Sequence, residues 1–202
     1  MNTRAVLDAL RDPSANLGLA SGQVSLAESS PRWPALFSTV ANHLETAFAG
    51  VPVEIAHIGS TSVPGLLAKP VLDIAIGAHE PIDIHDMIQR LESVGFAFSA
   101  DLGPYGGLFF LASTESGLTL AHVHVVDIAD FQWQWYLAFR DGLRSDAILR
   151  REYTDLKRAA ADSHPDDRQA YTTAKVEWVL TTINGLVEAA SDKADSASAQ
   201  TS

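Results

Sequence analysis

From Val71 to Ile76 the chain reads Val-Leu-Asp-Ile-Ala-Ile, an apolar run broken by one carboxylate, Asp73. Such a run, with no polar alternation, fits a strand buried on both faces, which calls for a sheet covered on each side. It also poses a chemical problem. An ionised carboxylate inside that strand is costly unless it is paired or bound to a cation. The fold must therefore bring partners to Asp73.

The neighbouring elements follow from periodicity. Ser30-Pro31 reads as N-cap and first position of a helix. Leu36, Phe37, Val40, Ala41, Leu44, Ala47 and Phe48 continue it at helical spacing, and Gly50 ends it. Strands are predicted at 23–27, 53–58, 71–76, 107–112 and 118–126, the last two joined as a hairpin through Ser113–Gly117. A further amphipathic helix runs from Ile82 to Val94 and stops at Gly95. Three helices follow at about 130–143, 145–162 and 166–189, with His164-Pro165 as the break between the last two. Residues 1–22 form an N-terminal extension, and 190–202, rich in Ser, Ala and Asp, a disordered tail.

Composition narrows the function. With 202 residues and 47% hydrophobic content, one ordinary domain can bury a sizeable core. A net charge of -11 argues against a protein that grips nucleic-acid polymers, since that rests on Lys and Arg neutralising phosphates. A small nucleotide is compatible with that charge, because a divalent cation screens it. The chain has no cysteine, so disulfides and thiolate metal sites are excluded. Charges at Arg4, Asp8, Arg11 and Asp12 break any signal-peptide pattern, and no uncharged apolar stretch is long enough for a membrane span. The expectation is a soluble cytoplasmic protein.

Three groups of residues carry candidate chemistry. Gly59, Ser60 and Thr61 follow a predicted strand, where a glycine lets backbone approach a phosphate and hydroxyls add donors. The loop is not a Walker A motif, because Leu66 follows its last glycine. The plainer alternative is a strand-to-helix turn. Second, His122 and His124 alternate on a predicted strand and so share a face. They can ligate a metal or supply one ligand and one base; the alternative is a solvent-facing strand side. His57, beside the Gly-Ser loop, is a third candidate ligand. Third, eight of fourteen Lys and Arg lie between positions 140 and 175, against seven acidic residues. Arg140 and Arg144, one helical turn apart, and Lys175 could reach phosphates, although solvated helix faces are the better reading for most of the eight. Lys69 stands apart, at the mouth of the Asp73 strand.

Gly-Ser, twelve residues, then a strand carboxylate resembles the nucleotidyltransferase signature, in which the loop holds a triphosphate and strand carboxylates hold Mg²⁺. The usual second carboxylate two residues on is here Ala75. More specifically, the chain resembles the GrpB family of nucleotidyltransferase-like proteins. The matching blocks are His57-Ile-Gly-Ser-Thr-Ser-Val-Pro-Gly-Leu66, Lys69-Pro-Val-Leu-Asp-Ile74, His122-Val-His124-Val, Phe139-Arg-Asp-Gly-Leu-Arg144, Tyr153-x-x-Leu-Lys157 and Tyr171-Thr-Thr-Ala-Lys175. Coverage runs from about 23 to 187.

The resemblance implies an α+β fold, a nucleotidyltransferase-like mixed β-sheet with flanking helices and a helical C-terminal part, over residues 23–189. It implies a cleft lined by the Gly-Ser loop, Asp73 and the His-x-His strand. The expected reaction moves a nucleoside monophosphate from ATP or GTP to a small polar acceptor and releases pyrophosphate. The cofactor expected is Mg²⁺ (or Mn²⁺), held by Asp73 with His122, His124 or His57. Gly59, Ser60, Thr61, Lys69, Arg140 and Lys175 are the expected nucleotide contacts. The acidic balance favours a cationic or zwitterionic acceptor such as an amino acid. Family members also occur fused to dephospho-coenzyme A kinases, but this chain has no kinase P-loop. An inactive nucleotide-binding module and a metal-dependent hydrolase are the alternatives.

Overall fold

The computed structural model describes residues 4–81, 83–99 and 107–199. Ile82, the expected helix start, and positions 1–3 and 200–202 of the expected extension and tail lie outside the described residues. Six helices, α1 (Arg4–Leu10), α2 (Trp33–Ala47), α3 (Ile84–Ser93), α4 (Phe131–Ser145), α5 (Ala147–Ser163) and α6 (Arg168–Ala199), surround six strands among the described residues. The strands are β1 (Leu19–Ala20), β2 (Val53–Ile58), β3 (Leu72–Ala78), β4 (Ala97–Ser99), β5 (Leu108–Ser113) and β6 (Leu118–Asp127).

They form one mixed sheet in the order β2-β3-β6-β5-β4, with β1 added beside β6. β3 and β6 run parallel, while the other pairs are antiparallel. The fold is α+β, as the resemblance implies. β3 is covered on both sides. Leu72, Ile74 and Ile76 pack in one apolar cluster with Val40, Leu44 and Phe48 of α2 and Met87 and Leu91 of α3. Burying each such side chain stabilises by about 1.5–3 kcal/mol. On the opposite face, Trp133 of α4 packs with Ala56, Ile58, Ala75 and Val126. α4 approaches closely because Gly77 has no side chain: a Cβ there would lie 2.8 Å from the Trp133 ring. The sheet thus has an apolar face against α1–α3 and a second face under α4–α6, where Asp73 sits.

Several boundaries differ from expectation. The segment 23–27 contributes only an isolated bridge, Ala27 to Ala68, and the paired strand is Leu19–Ala20. Helix α2 starts at Trp33, with Pro34 in its first turn; Ser30 instead closes the turn before it, accepting from the amide of Arg32 at 3.2 Å. Part of the N-terminal extension belongs to the core: Val6, Leu10 and Ala15 join the apolar cluster, and Trp33 Nε1 donates to the Ala15 carbonyl at 2.9 Å. Strand β4 has three residues, too few for alternation to show. Helix α6 continues to Ala199, past the end expected near 189. Among the described residues no helix is long and apolar enough to cross a membrane.

Candidate functional site

Asp73 stands at the second residue of β3, and strand register sets its company. It pairs with Ile58 on β2 and with His122 on β6, and Ala75 pairs with His124. Asp73, Ala75, His122 and His124 therefore share the face under α4–α6. His122 Nδ1 lies 2.8 Å from Asp73 Oδ1, and its Nε2 lies 3.1 Å from a guanidinium nitrogen of Arg168, at the start of α6. Burial pushes the Asp73 carboxyl up, but the hydrogen bond from His122 and attraction from neighbouring groups, Lys69 among them, outweigh it and hold it at about 2. His124, lowered to about 4 mainly by burial, is neutral near pH 7. Its Nδ1 is 3.5 Å from the Tyr136 hydroxyl.

The Gly-Ser turn abuts this carboxylate. Gly59 has φ +63°, and a Cβ on it would lie 2.5 Å from Asp73 Oδ2. Both facts require glycine there. A single 3-10 turn, Ser60–Ser62, follows in place of a longer helix. The amides of Ser62 and Val63 are engaged inside it, on the carbonyls of Gly59 and Ser60.

Lys157, which touches Ser60, and Lys175 are buried, and Lys69 is half-buried near them. Lys157 of α5 donates to Ser60 Oγ at 3.1 Å and to the Leu67 carbonyl, and its ammonium stands over the Tyr153 ring at 4.4 Å. Lys175 of α6 donates to the Tyr171 carbonyl at 3.1 Å and sits 3.5 Å from the Tyr171 ring centre, with Lys69 at 5.4 Å from that ring. Burial is the first cause that lowers all three. Lys157 falls to about 7, with Lys175 adding repulsion; Lys175 also falls to about 7, with Lys69 adding repulsion; and Lys69 falls to about 8, with Arg168 adding repulsion. Three ammonium groups held close together in a chain of net charge -11 are costly for the free protein and suit an anionic ligand. Beside the carboxylate opens a recess of about 250 Å³, lined by Gly59, Asp73 and His124 at its floor and by Trp135, Tyr136 and Phe139 of α4 on one wall.

The remaining predicted residues fall elsewhere. His57 pairs with Ile74, so it lies on the apolar face, stacked 4.7 Å from Phe37 of α2. A metal on Asp73 cannot use it as a ligand. Thr61 points the same way, 3.0 Å from His57 Nε2. Arg140 is not brought to the Asp73 cluster: it pairs with Asp141 and reaches the His57 carbonyl at 3.4 Å. Arg144 clamps the loop from the same side, with two donors on the Ser62 carbonyl at 3.1 and 2.9 Å. These arginines hold loop backbone where the sequence suggested phosphate contacts.

Lys157 and Arg168 were missed as site residues. A signal existed for Lys157. It falls between Tyr153 and Ala160 on the helical stripe that α5 buries, a position where an ammonium is out of place unless it serves something. Arg168 had none, since its partner is distant in sequence.

Among the described residues no group of three or more His, Cys, Asp or Glu side chains is placed to hold a metal ion. The donors at the cleft are the Asp73 carboxylate, with Oδ1 engaged by His122, and His124. Both ring nitrogens of His122 are engaged, one against a guanidinium, which removes it as a ligand. Mg²⁺ keeps waters and takes one or two carboxylates plus phosphate oxygens, so this set is compatible with that ion only together with oxygens from a ligand.

Comparison with known proteins agrees with the fold. The family described as GrpB protein matches residues 23–184. The "Glutamate-rich protein GrpB" of Alkalihalophilus pseudofirmus is 31% identical over 173 residues, covering 84% of this chain and 99% of that protein. A UPF0157 protein of Pseudomonas aeruginosa is 36% identical over 160 residues, covering 78% of this chain and 65% of the relative, so this chain spans just under two thirds of it. The crystal structure of the conserved protein GrpB from Enterococcus faecalis superposes with a TM-score of 0.71 at 28% identity, over 81% of this chain and 98% of that one.

Proposed function

The chain belongs to the GrpB protein family, and on that premise we propose that it transfers a nucleoside monophosphate from ATP or GTP to a small polar acceptor, with release of pyrophosphate. The observation that carries this reading is the Gly59-Ser60 turn, with Gly59 packed against the Asp73 carboxylate and Ser60 Oγ bound by the buried ammonium of Lys157.

In this reading Ser60, Lys157, Lys175 and Lys69 hold the phosphates. Lys157 and Lys175, drawn down to about 7 by burial, become fully charged when the anion replaces lost solvation. Asp73 would hold Mg²⁺, with His124 beside it where Ala75 takes the place of a second carboxylate. When bound, the cation neutralises charge at the α-phosphate. The acceptor's nucleophilic atom bonds the α-phosphorus as the bond to the bridging oxygen breaks, and pyrophosphate leaves with that oxygen. In this reading His124, neutral near pH 7, receives the acceptor's proton. The recess lined by Trp135, Tyr136 and Phe139 is wide enough for one small planar or apolar group. The net charge favours a cationic or zwitterionic acceptor, an amino acid or amine.

Incubation with each nucleoside triphosphate, Mg²⁺ and a pool of amino acids and amines, read by mass spectrometry, tests this. A nucleotidylated acceptor and pyrophosphate are expected. No product and no pyrophosphate in any combination would count against the transferase. A second reading, a nucleotide-binding module without turnover, draws on Ala75. It predicts Mg-triphosphate binding by calorimetry with no pyrophosphate released in cell extract.

A further inference from the structure

We infer that Arg168 is a positioning residue that locks His122 in one tautomer, so that His122 serves Asp73 as a fixed neutral donor. The role assigned to Asp73 here rests on the nucleotidyltransferase reading, but the hydrogen-bond chain itself does not.

Guanidinium nitrogens donate and never accept. Arg168 lies 3.1 Å from His122 Nε2, so that nitrogen must offer its lone pair. The proton then sits on Nδ1, which lies 2.8 Å from Asp73 Oδ1 and donates to it. The reverse tautomer would set N–H against N–H at one end and a lone pair against a carboxylate at the other. An imidazolium would keep the first of those clashes. The ring is also held in place: His122 is buried, and Phe109 of β5 lies 5.1 Å from it, centre to centre. The chain Arg168–His122–Asp73 runs from the first residue of α6 through β6 to β3, tying the helical part to the carboxylate strand.

The consequence concerns Asp73. One carboxylate oxygen is bound by a neutral donor, which fixes the rotation of the group. Oδ2 is thereby directed at the Gly59 backbone and the cleft, where ligand oxygens and a cation would meet it. Partners that orient a ligating or reacting side chain are worth roughly 10–100-fold in affinity or activity when removed.

The test uses the full chain, uniformly ¹⁵N-labelled, and long-range proton–nitrogen correlation spectra of the histidine rings, with His122 assigned through His122→Gln. In the wild type, His122 should show a protonated, pyrrole-like δ1 nitrogen and an unprotonated, pyridine-like ε2 nitrogen. Arg168→Met should move it toward the ε2-protonated form or a mixture, and Arg168→Lys, which keeps a donor, should restore the wild-type pattern. Backbone amide spectra check that each variant is folded. A wild-type ring protonated on ε2, or on both nitrogens, overturns the inference whether or not the variants fold. So does an Arg168→Met spectrum unchanged at His122. No nucleotide is needed, so failure to detect nucleotidyl transfer leaves this result standing. If transfer is detected, Arg168→Met should lower kcat by about 10-fold with KM little changed.

Discussion

The two faces of β3 differ completely although they come from alternate residues of one strand. Leu72, Ile74 and Ile76 meet α2 and α3 in an apolar cluster. Asp73 and Ala75, one position out of phase, meet His122 and His124, with the Gly59 turn and α4 nearby. The first face supplies burial that offsets chain entropy; the second carries groups that make folding harder, three lysines depressed by burial among them. Such division is what a strand with period two allows: stability and chemistry can be assigned to opposite sides without either intruding on the other.

That separation can be tested by substitution, and the largest effect belongs to the chemical face. Asp73→Asn keeps shape but removes the charge, and pyrophosphate release should fall roughly 10²–10³-fold, while the protein stays folded and loses at most about 2 kcal/mol, the contribution at pH 7 of a carboxyl held near 2. Ile74→Ala should do the reverse, costing about 2–5 kcal/mol in urea unfolding, with activity per folded molecule retained. Lys157→Met separates the two properties at one residue. Calorimetry with inorganic tripolyphosphate should show affinity weakened roughly 10-fold or more, the worth of a charged hydrogen bond, while thermal stability holds or rises because a buried ammonium has been replaced by an apolar chain.

pH moves the two properties in opposite directions. Lys157 and Lys175 have folded values near 7 against 10.5 when unfolded, so between those values the unfolded chain binds more protons. Their contribution therefore favours the fold increasingly as pH rises from 7 toward 10.5 and is lost as pH falls through 7. Tripolyphosphate affinity should fall over the rise from 7 to 9, because those amines lose charge. On the acid side His57 and His124, lowered from 6.5 to about 4, make the fold less stable as pH drops from 6.5 to 4. Melting temperature and calorimetric titration across pH 4 to 10 check both trends. The smallest effect should come from His57→Phe, which keeps the stack on Phe37 and loses the Thr61 bond, at a cost of about 1 kcal/mol. A loss of activity as large as that of Asp73→Asn would mean that the faces are not separate.

Much of this arrangement could be read from the chain, and the rest could not for identifiable reasons. The all-apolar run around Asp73 declared its own burial, and the alternation of His122 and His124 is a local property of any strand. Which face His57 and Thr61 take depends on the antiparallel register of β2 with β3, which pairs residues far apart in sequence. The same holds for Arg140 and Arg144, whose carbonyl partners at His57 and Ser62 come from a loop brought beside α4 only by folding. Ser30-Pro31 is a common helix start signal, but α2 begins at Trp33 and Pro34 takes the first-turn position. Lys157 was legible in principle, as a lysine on the buried stripe of α5. Arg168 and its contact with His122 were not, because nothing in the local pattern distinguishes it from the other helix arginines.

The central claim is that the face of β3 under α4–α6 binds a metal-triphosphate through Asp73, Ser60 and Lys157. Crystals soaked with Mn²⁺ and a non-hydrolysable triphosphate test it most directly. The account predicts an anomalous Mn²⁺ peak within bonding distance of Asp73, with phosphate oxygens on Ser60 and Lys157. Ordered metal touching neither Asp73 nor the His122–His124 strand, or phosphates seated among Arg140, Arg144 and His57 beside the β2 edge, would contradict it.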